Sequence, residues 1–261
     1  MSLSTIYAAV KNATVAIVAS IPGSLPNRPF TIFGSGFCIH SAGVVVTCEH
    51  VFEAFVDPEA YQRLMESIGQ PDCQAQSVKS IVPHAMFYSG IEETKIRMDA
   101  VSIATGVAMK DFDLAALKLH KHPAFSQGFP TLPIADYSEI NEMMEIATCG
   151  FPLGESLHDQ IGTVTSSFAR GIISSVIPAP GIAREHLRGF QLDLTATNGN
   201  SGGPVFSLAT GRVFGVLQGG VNHPETKDVV QGITKAEPIY PLFNTDLVER
   251  LAAGQQHPGP G

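Results

Sequence analysis

The 261-residue chain is short of charge, and of positive charge most of all: Lys plus Arg number 16 against 24 Asp plus Glu, for a net charge of −8. No basic run stands out. Nucleic-acid binding needs a basic stripe to displace counterions, so no nucleic-acid partner is expected. Long hydrophobic runs are missing too. A spanning helix needs about 18 or more apolar residues in a row, and no such stretch exists, so no membrane partner is expected either. The N-terminal MSLSTIYAAVKNATVAIVAS has no basic leading region, and Lys11 and Asn12 interrupt its apolar run. It reads as a helical turn and a strand rather than a signal peptide. That puts the chain in the cytoplasm unless a leader has been removed.

Cysteine is scarce as well. Cys38, Cys48, Cys73 and Cys149 include no CxxC pair, which argues against zinc; no cofactor or metal is expected. Cys38 and Cys48 lie on the two arms of an expected hairpin and could approach each other. Free buried thiols are the preferred reading, because four cysteines in this length are not a disulfide framework.

What is plentiful is turn chemistry. Gly numbers 25 and Pro 18, with 44% hydrophobic residues. That balance suits many short strands in a globular chain. Strands are expected at Thr14–Ala19, Phe30–Ile39, Gly43–Thr47, Ile81–Tyr88, Lys95–Ile103 and Leu114–Leu119. Asp57-Pro58-Glu59 opens a helix that Gly69 ends. The proline-rich stretch 120–139 reads as an interdomain linker. A second strand set follows at Glu145–Cys149, Gly162–Ser167, Gly171–Ile177, Gly189–Leu194, Pro204–Ser207, Val213–Gln218 and Ile233–Pro238. A capped helix at Thr245–Gly254 closes the fold. The expected division is residues 1–125, 126–253 and a flexible tail at 254–261.

The segment TATNGNSGGPVF carries the strongest chemical signal. A nucleophilic serine needs a tight turn that exposes its hydroxyl, with backbone N–H groups nearby to hold an oxyanion. Ser201 has glycines on both sides, and the N–H groups of Gly199 and Ser201 would form the oxyanion hole. The same letters satisfy G-x-S-x-G, the elbow of the α/β-hydrolases. That elbow needs a helix straight after the serine, and Gly202-Gly203-Pro204 breaks one. A plain Gly-Ser surface turn is the bland alternative.

VVVTCEHVF sets His50 at the end of a strongly β run, where a general base is held rigidly. KDFDLAALKL sets Asp113 directly before an alternating apolar strand. It could accept the other imidazole N–H and fix the tautomer. Asp111 competes but lies farther from the strand. A strand-capping histidine and a solvated turn aspartate are the bland readings. The order His, Asp, Ser, with the serine beyond the linker, is one known solution to triad geometry.

These motifs resemble the trypsin-like serine peptidases, nearest the bacterial HtrA-type branch. GSGFCIHSAGVVVTCEHV is similar to that branch's hairpin ending in the catalytic His. DLAALKL resembles its Asp strand, CGFPLG the turn that opens its second barrel, and FQLDLTATNGNSGGPVFSLATGRVFGVLQGG its serine loop and following strand. The resemblance runs from about residue 10 to 245 and implies an all-β fold: two perpendicular six-stranded antiparallel β-barrels and a short C-terminal helix. It also implies a serine endopeptidase acting on polypeptide through His50, Asp113 and Ser201. Many members of that branch carry a C-terminal peptide-binding domain, which is not seen here. The digestive relatives hold an Asp before the serine to pair with a new N-terminus. Asn200 stands there, so no proteolytic activation is expected.

By the same resemblance, substrate would be lined by Thr195, Leu217, Gln218 and Gly219, with strand 216–219 pairing with its backbone. No Asp stands at the pocket base, and Leu217 replaces the His of glutamate-selecting relatives. Small or medium apolar side chains are therefore expected at P1, the residue whose carbonyl is attacked. Barrel-core packing is the alternative for Thr195 and Leu217. A non-catalytic peptide-binding module on the same fold, or an α/β-hydrolase esterase, are the competing functions.

Overall fold

The computed structural model describes residues 2–20, 30–67, 81–93, 95–152, 164–222, 225–226 and 229–255. A helix α1 (Leu3–Ala13) leads into β1 (Thr14–Ser20), β2 (Thr31–His40) and β3 (Val44–Thr47). Helices α2 (Glu49–Glu53) and α3 (Pro58–Ser67) precede β4 (Val82–Glu92), β5 (Lys95–Met109) and β6 (Leu114–Leu119). Those six strands close as a barrel in the order β1-β2-β3-β6-β5-β4. Strands β7 (Glu145–Gly150), β8 (Ser167–Ile177), β9 (Gly189–Asp193), β10 (Pro204–Ser207), β11 (Val213–Asn222) and β12 (Val229–Pro238) close a second, in the order β10-β11-β12-β9-β8-β7. Helix α4 (Leu247–Ala252) follows. Among the described residues every pairing between two of these strands is antiparallel, and Ser201 is followed by a strand. The α/β-hydrolase elbow, with its helix and parallel sheet, is thereby removed.

Local chemistry explains the punctuation. Gly43, at φ +84°, turns β2 into β3, and its N–H bonds the His40 carbonyl at 2.8 Å. A Cβ there would meet the Phe129 ring at 2.7 Å. Asp57 caps α3 through its Oδ1, which accepts from Glu59 N at 2.8 Å, with Pro58 preset for the first turn. The expected strand at Gly162–Ser167 is a correction. Residues 164–166 are in no strand, 162–163 lie outside the described residues, and β8 runs unbroken from Ser167 to Ile177. The tail beyond Gln255 and most of the stretch after α3 also lie outside the described residues.

Each barrel encloses its own apolar side chains. Phe37, Phe87, Leu114 and Leu117 fill the first, and Ile146, Phe190, Leu192 and Phe214 the second. Burying each such side chain contributes about 1.5–3 kcal/mol. The connection between the barrels is stitched to both. Phe129 N bonds Ser41 O at 2.9 Å and Leu132 N bonds Cys38 O at 3.0 Å on the first. On the second, the Tyr137 hydroxyl donates to Phe214 O and accepts from Ile239 N at 2.8 Å. Leu247, Val248 and Leu251 of α4 return to the first barrel's core. The linker and α4 thus tie the two barrels together.

Candidate active site

Strand β3 is wholly buried and is followed by Cys48, the N-cap of α2, so His50 enters on a short helix rooted in the core. Asp113 arrives directly before β6, the strand that pairs with β3. A single 3₁₀ turn at Lys110–Phe112 ends in Asp113 at φ 43°, ψ 43°, a left-handed conformation that Asp tolerates better than most residues. There its carboxylate meets His50. Nδ1 lies 3.0 Å from Oδ1 and 2.9 Å from Oδ2, and the His50 backbone N–H donates to Oδ1 at 3.0 Å. The Asp113 carbonyl accepts from Glu49 N at 3.1 Å. Both the ring and the backbone of this helix are therefore held by one aspartate. Asp111, the competing acid, is exposed and makes no bond to His50.

Charge around this pair follows burial. Burial opposes ionisation of Asp113, but the His50 hydrogen bonds and charge outweigh it and hold the carboxyl below its usual range. The Gln218 side chain adds to that stabilisation. Burial, then the Asp113 charge, pushes Glu237 up to about 7. Glu49 is likewise raised to about 7 by burial and by Glu53, while Lys110 pairs with Glu53 at 2.8 Å. That ion pair clips the Asp113 turn to α2.

Cys48, His50 and Asp113 offer ligand atoms within 4.8 Å of one another. Burial keeps the Cys48 thiol well above its ordinary value, and it donates to Leu217 O at 3.3 Å. A thiol held protonated is a poor metal ligand. Cys38, Cys48 and Cys149 are all free and buried, as expected; Cys73 lies outside the described residues.

Ser201 stands on a turn that only glycine permits. Asn200 N bonds Thr197 O at 3.1 Å, with Gly199 at φ +94° inside the turn. Gly202, at φ +90°, donates to Leu217 O at 2.8 Å, and a Cβ there would come within 2.0 Å of Ser35 O. The N–H groups of Gly199 and Ser201 have no acceptor among the described residues. The Ser201 hydroxyl donates to the Gln218 carbonyl at 2.8 Å, and no His50–Ser201 hydrogen bond forms among the described residues. The two elements still meet at one seam. A Cβ at Gly34 would lie 2.8 Å from Val51, next to His50, and 2.9 Å from Ser201 O.

The expected substrate-lining residues separate. Gln218 touches both the Ser201 hydroxyl and the Asp113 side, and Gly219 borders the serine. Thr195 is exposed. Leu217 is 0% exposed and packs in the second barrel's core beside Ala196 and Ala236, so the core alternative holds for its side chain.

Ser35 had no place in the reading of the sequence. It is fully buried on β2, and its N–H donates to Ser201 O at 2.8 Å. Its hydroxyl donates to Gly199 O at 2.6 Å and accepts from Phe151 N at 3.0 Å. Thr47 Oγ1 secures the Ser35 carbonyl at 2.7 Å. The first barrel thereby grips the serine turn of the second. One signal was available: a lone polar residue between two glycines in the apolar strand TIFGSGFCIH.

The trypsin-like peptidase domain family matches residues 34–216, and the chain belongs to that family. No curated protein sequence matches it significantly. Among solved structures it resembles the HtrA-type protease AlgW, in a substituted form with tripeptide, at 17% identity and a TM-score of 0.60. That match covers 98% of this chain and 65% of AlgW, so the chain spans about two thirds of that relative's length. AlgW with decapeptide matches at 17% identity and 0.59, covering 98% of this chain and 69% of that one. Deg5 matches at 18% and 0.59, covering 97% of this chain and 95% of its own. At these identities the likeness is one of fold. No described helix is long and apolar enough to cross a membrane.

Proposed function

We propose that this chain is a serine endopeptidase with Ser201 as nucleophile, His50 as general base and Asp113 as the group that orients the base. The observation that carries this is the double grip of Asp113 on His50, on Nδ1 and on the backbone N–H. With Nδ1 held as the donor, Nε2 is the lone-pair nitrogen left to accept a proton.

In the reaction, a polypeptide strand adds along Gln218–Gly219. A substrate N–H taken by the Gln218 carbonyl frees the Ser201 hydroxyl to turn to His50. Oγ then attacks the scissile carbonyl while its proton passes to Nε2. The oxyanion is received by the N–H groups of Gly199 and Ser201. His50 hands the proton to the leaving amine, which departs and leaves an acyl-Ser201 ester. Water, deprotonated by His50, hydrolyses the ester and restores the serine. AlgW, the fold relative, is solved with peptides, which supports a polypeptide as the substrate here. The apolar P1 choice rests on the sequence, in which no Asp stands at the expected pocket base to select Arg or Lys.

The experiment is fluorophosphonate labelling with peptide-library cleavage, wild type against Ser201→Ala. Wild type should label and cleave after small or medium apolar residues. Ser201→Ala should lose labelling and about four to six orders of magnitude in turnover. Absence of labelling in folded wild type would sink the enzymatic reading. It would favour a peptide-binding module, the reading that the Ser201–Gln218 bond supports. Cleavage mainly after Arg or Lys would overturn the P1 assignment alone.

A further inference from the structure

Antiparallel partners point their side chains to the same face of a sheet. Gly219 on β11, just past a register shift after Leu217, pairs with Lys235 on β12, and Lys235 pairs with Gln191 on β9. A Cβ at Gly219 would sit 3.7 Å from Ser201 Oγ. The face carrying Lys235 is therefore the face that borders the Ser201 hydroxyl, one strand away. Burial of its neighbours agrees: Thr234 and Ala236 are 2% and 1% exposed and turn to the core, while Lys235 is exposed. Its partner across the strand is a glycine, so no side chain there covers it.

Among the described residues Lys235 makes no hydrogen bond and no ion pair. Glu237, two residues along on the same face, feels its charge. That acid is itself raised to about 7, chiefly by burial, so at neutral pH it is only partly charged and offsets Lys235 incompletely. A flexible cationic stem thus stands beside the strand on which substrate would lie, in a chain whose net charge is −8.

We propose that Lys235 selects substrates carrying an acidic side chain two to four residues upstream of the scissile bond. This rests on the peptidase reading above. It is compatible with an apolar P1, which concerns a different residue of the substrate. Because the cation is exposed, its contribution is modest and salt-sensitive.

The test uses quenched fluorescent peptides sharing one apolar P1, with Asp, Asn or Lys at each of the three upstream positions. Wild type should cleave the Asp peptide about three- to tenfold better in kcat/KM than the Asn peptide at one of those positions, and less so at high salt. Lys235→Gln should abolish that preference, and Lys235→Glu should turn it toward the Lys peptide. Thermal melting checks that both variants fold. Equal cleavage of the Asp and Asn peptides by wild type, or a preference that survives Lys235→Gln, overturns the proposal and leaves the peptidase reading standing. If wild type cleaves none of the peptides and takes up no fluorophosphonate, both readings fall together.

Discussion

In the first barrel, His50 and Asp113 hold each other at 2.9–3.0 Å, and both stand on short turns rooted in buried strands. In the second, the Ser201 hydroxyl is bonded to Gln218 of its own barrel, and the turn beneath it is gripped from outside by Ser35. One half of the proposed machinery is assembled before substrate arrives. The other half is oriented by contacts across the seam and waits for a partner strand to release its hydroxyl. Failures of the first half should therefore be electrostatic, and failures of the second geometric.

The sharpest way to break that comparison is Asp113→Asn. The carboxamide cannot stabilise the charged imidazolium and favours the wrong tautomer, so kcat should fall by about 10⁴ with the protein still folded. The low-field Nδ1 proton resonance should vanish with it. A loss below tenfold would mean that the His50–Asp113 pair is structural only.

A smaller effect is expected for Ser35→Ala. It leaves the Gly199 carbonyl and the Phe151 N–H without their partner in a buried place. Stability should drop by about 1–3 kcal/mol. The rate of fluorophosphonate labelling should drop by about ten- to a hundredfold, while the low-field resonance of the first barrel stays. Loss of that resonance as well would show that the two halves are not separable.

The smallest effect belongs to Glu237→Gln. Glu237 is raised from 4.5 to about 7, so the folded state binds its proton more tightly than the unfolded chain does. Stability is then lost as pH rises from about 4.5 to 7, where the unfolded state ionises first. Since the group is partly exposed, screening reduces the penalty to about 1 kcal/mol. The Gln variant should melt about two to four degrees higher at pH 8 and unchanged at pH 4. A variant that melts lower at pH 8 would contradict the placement of Glu237 beside Asp113.

Much of the site was legible because its residues lie in dense local patterns. The run VVVT reads as a buried strand whatever surrounds it, and it ends three residues before His50. Alternation in LAALKL marks β6, with Asp113 at its mouth. The glycines at 199 and 202 announce positive φ. Less legible were the ends and the fusions: β5 runs to Met109, six residues past its expected end, and β8 absorbs part of what looked like a separate strand. Extended pairing across a barrel carries strands through residues whose own propensity is indifferent. Leu217 was read as a pocket residue from the family resemblance, at the position where glutamate-selecting relatives carry a His. The pleat turns its side chain inward to the core, and a register shift between Leu217 and Gly219 turns Gly219 to the serine instead.

By itself the sequence determined which segments are strands, where the tight turns fall, and which side chains of chemical interest stand beside them. Those outcomes depend on propensity, period and glycine, all of which act over a few residues. Only tertiary structure decided that Ser35 would secure a turn 164 positions away, that Gln218 would hold the serine proton, and that Lys235 would share a face with Ser201. Each depends on barrel closure and strand register, which are set by the packing of both cores together and leave no mark at any one position in the chain.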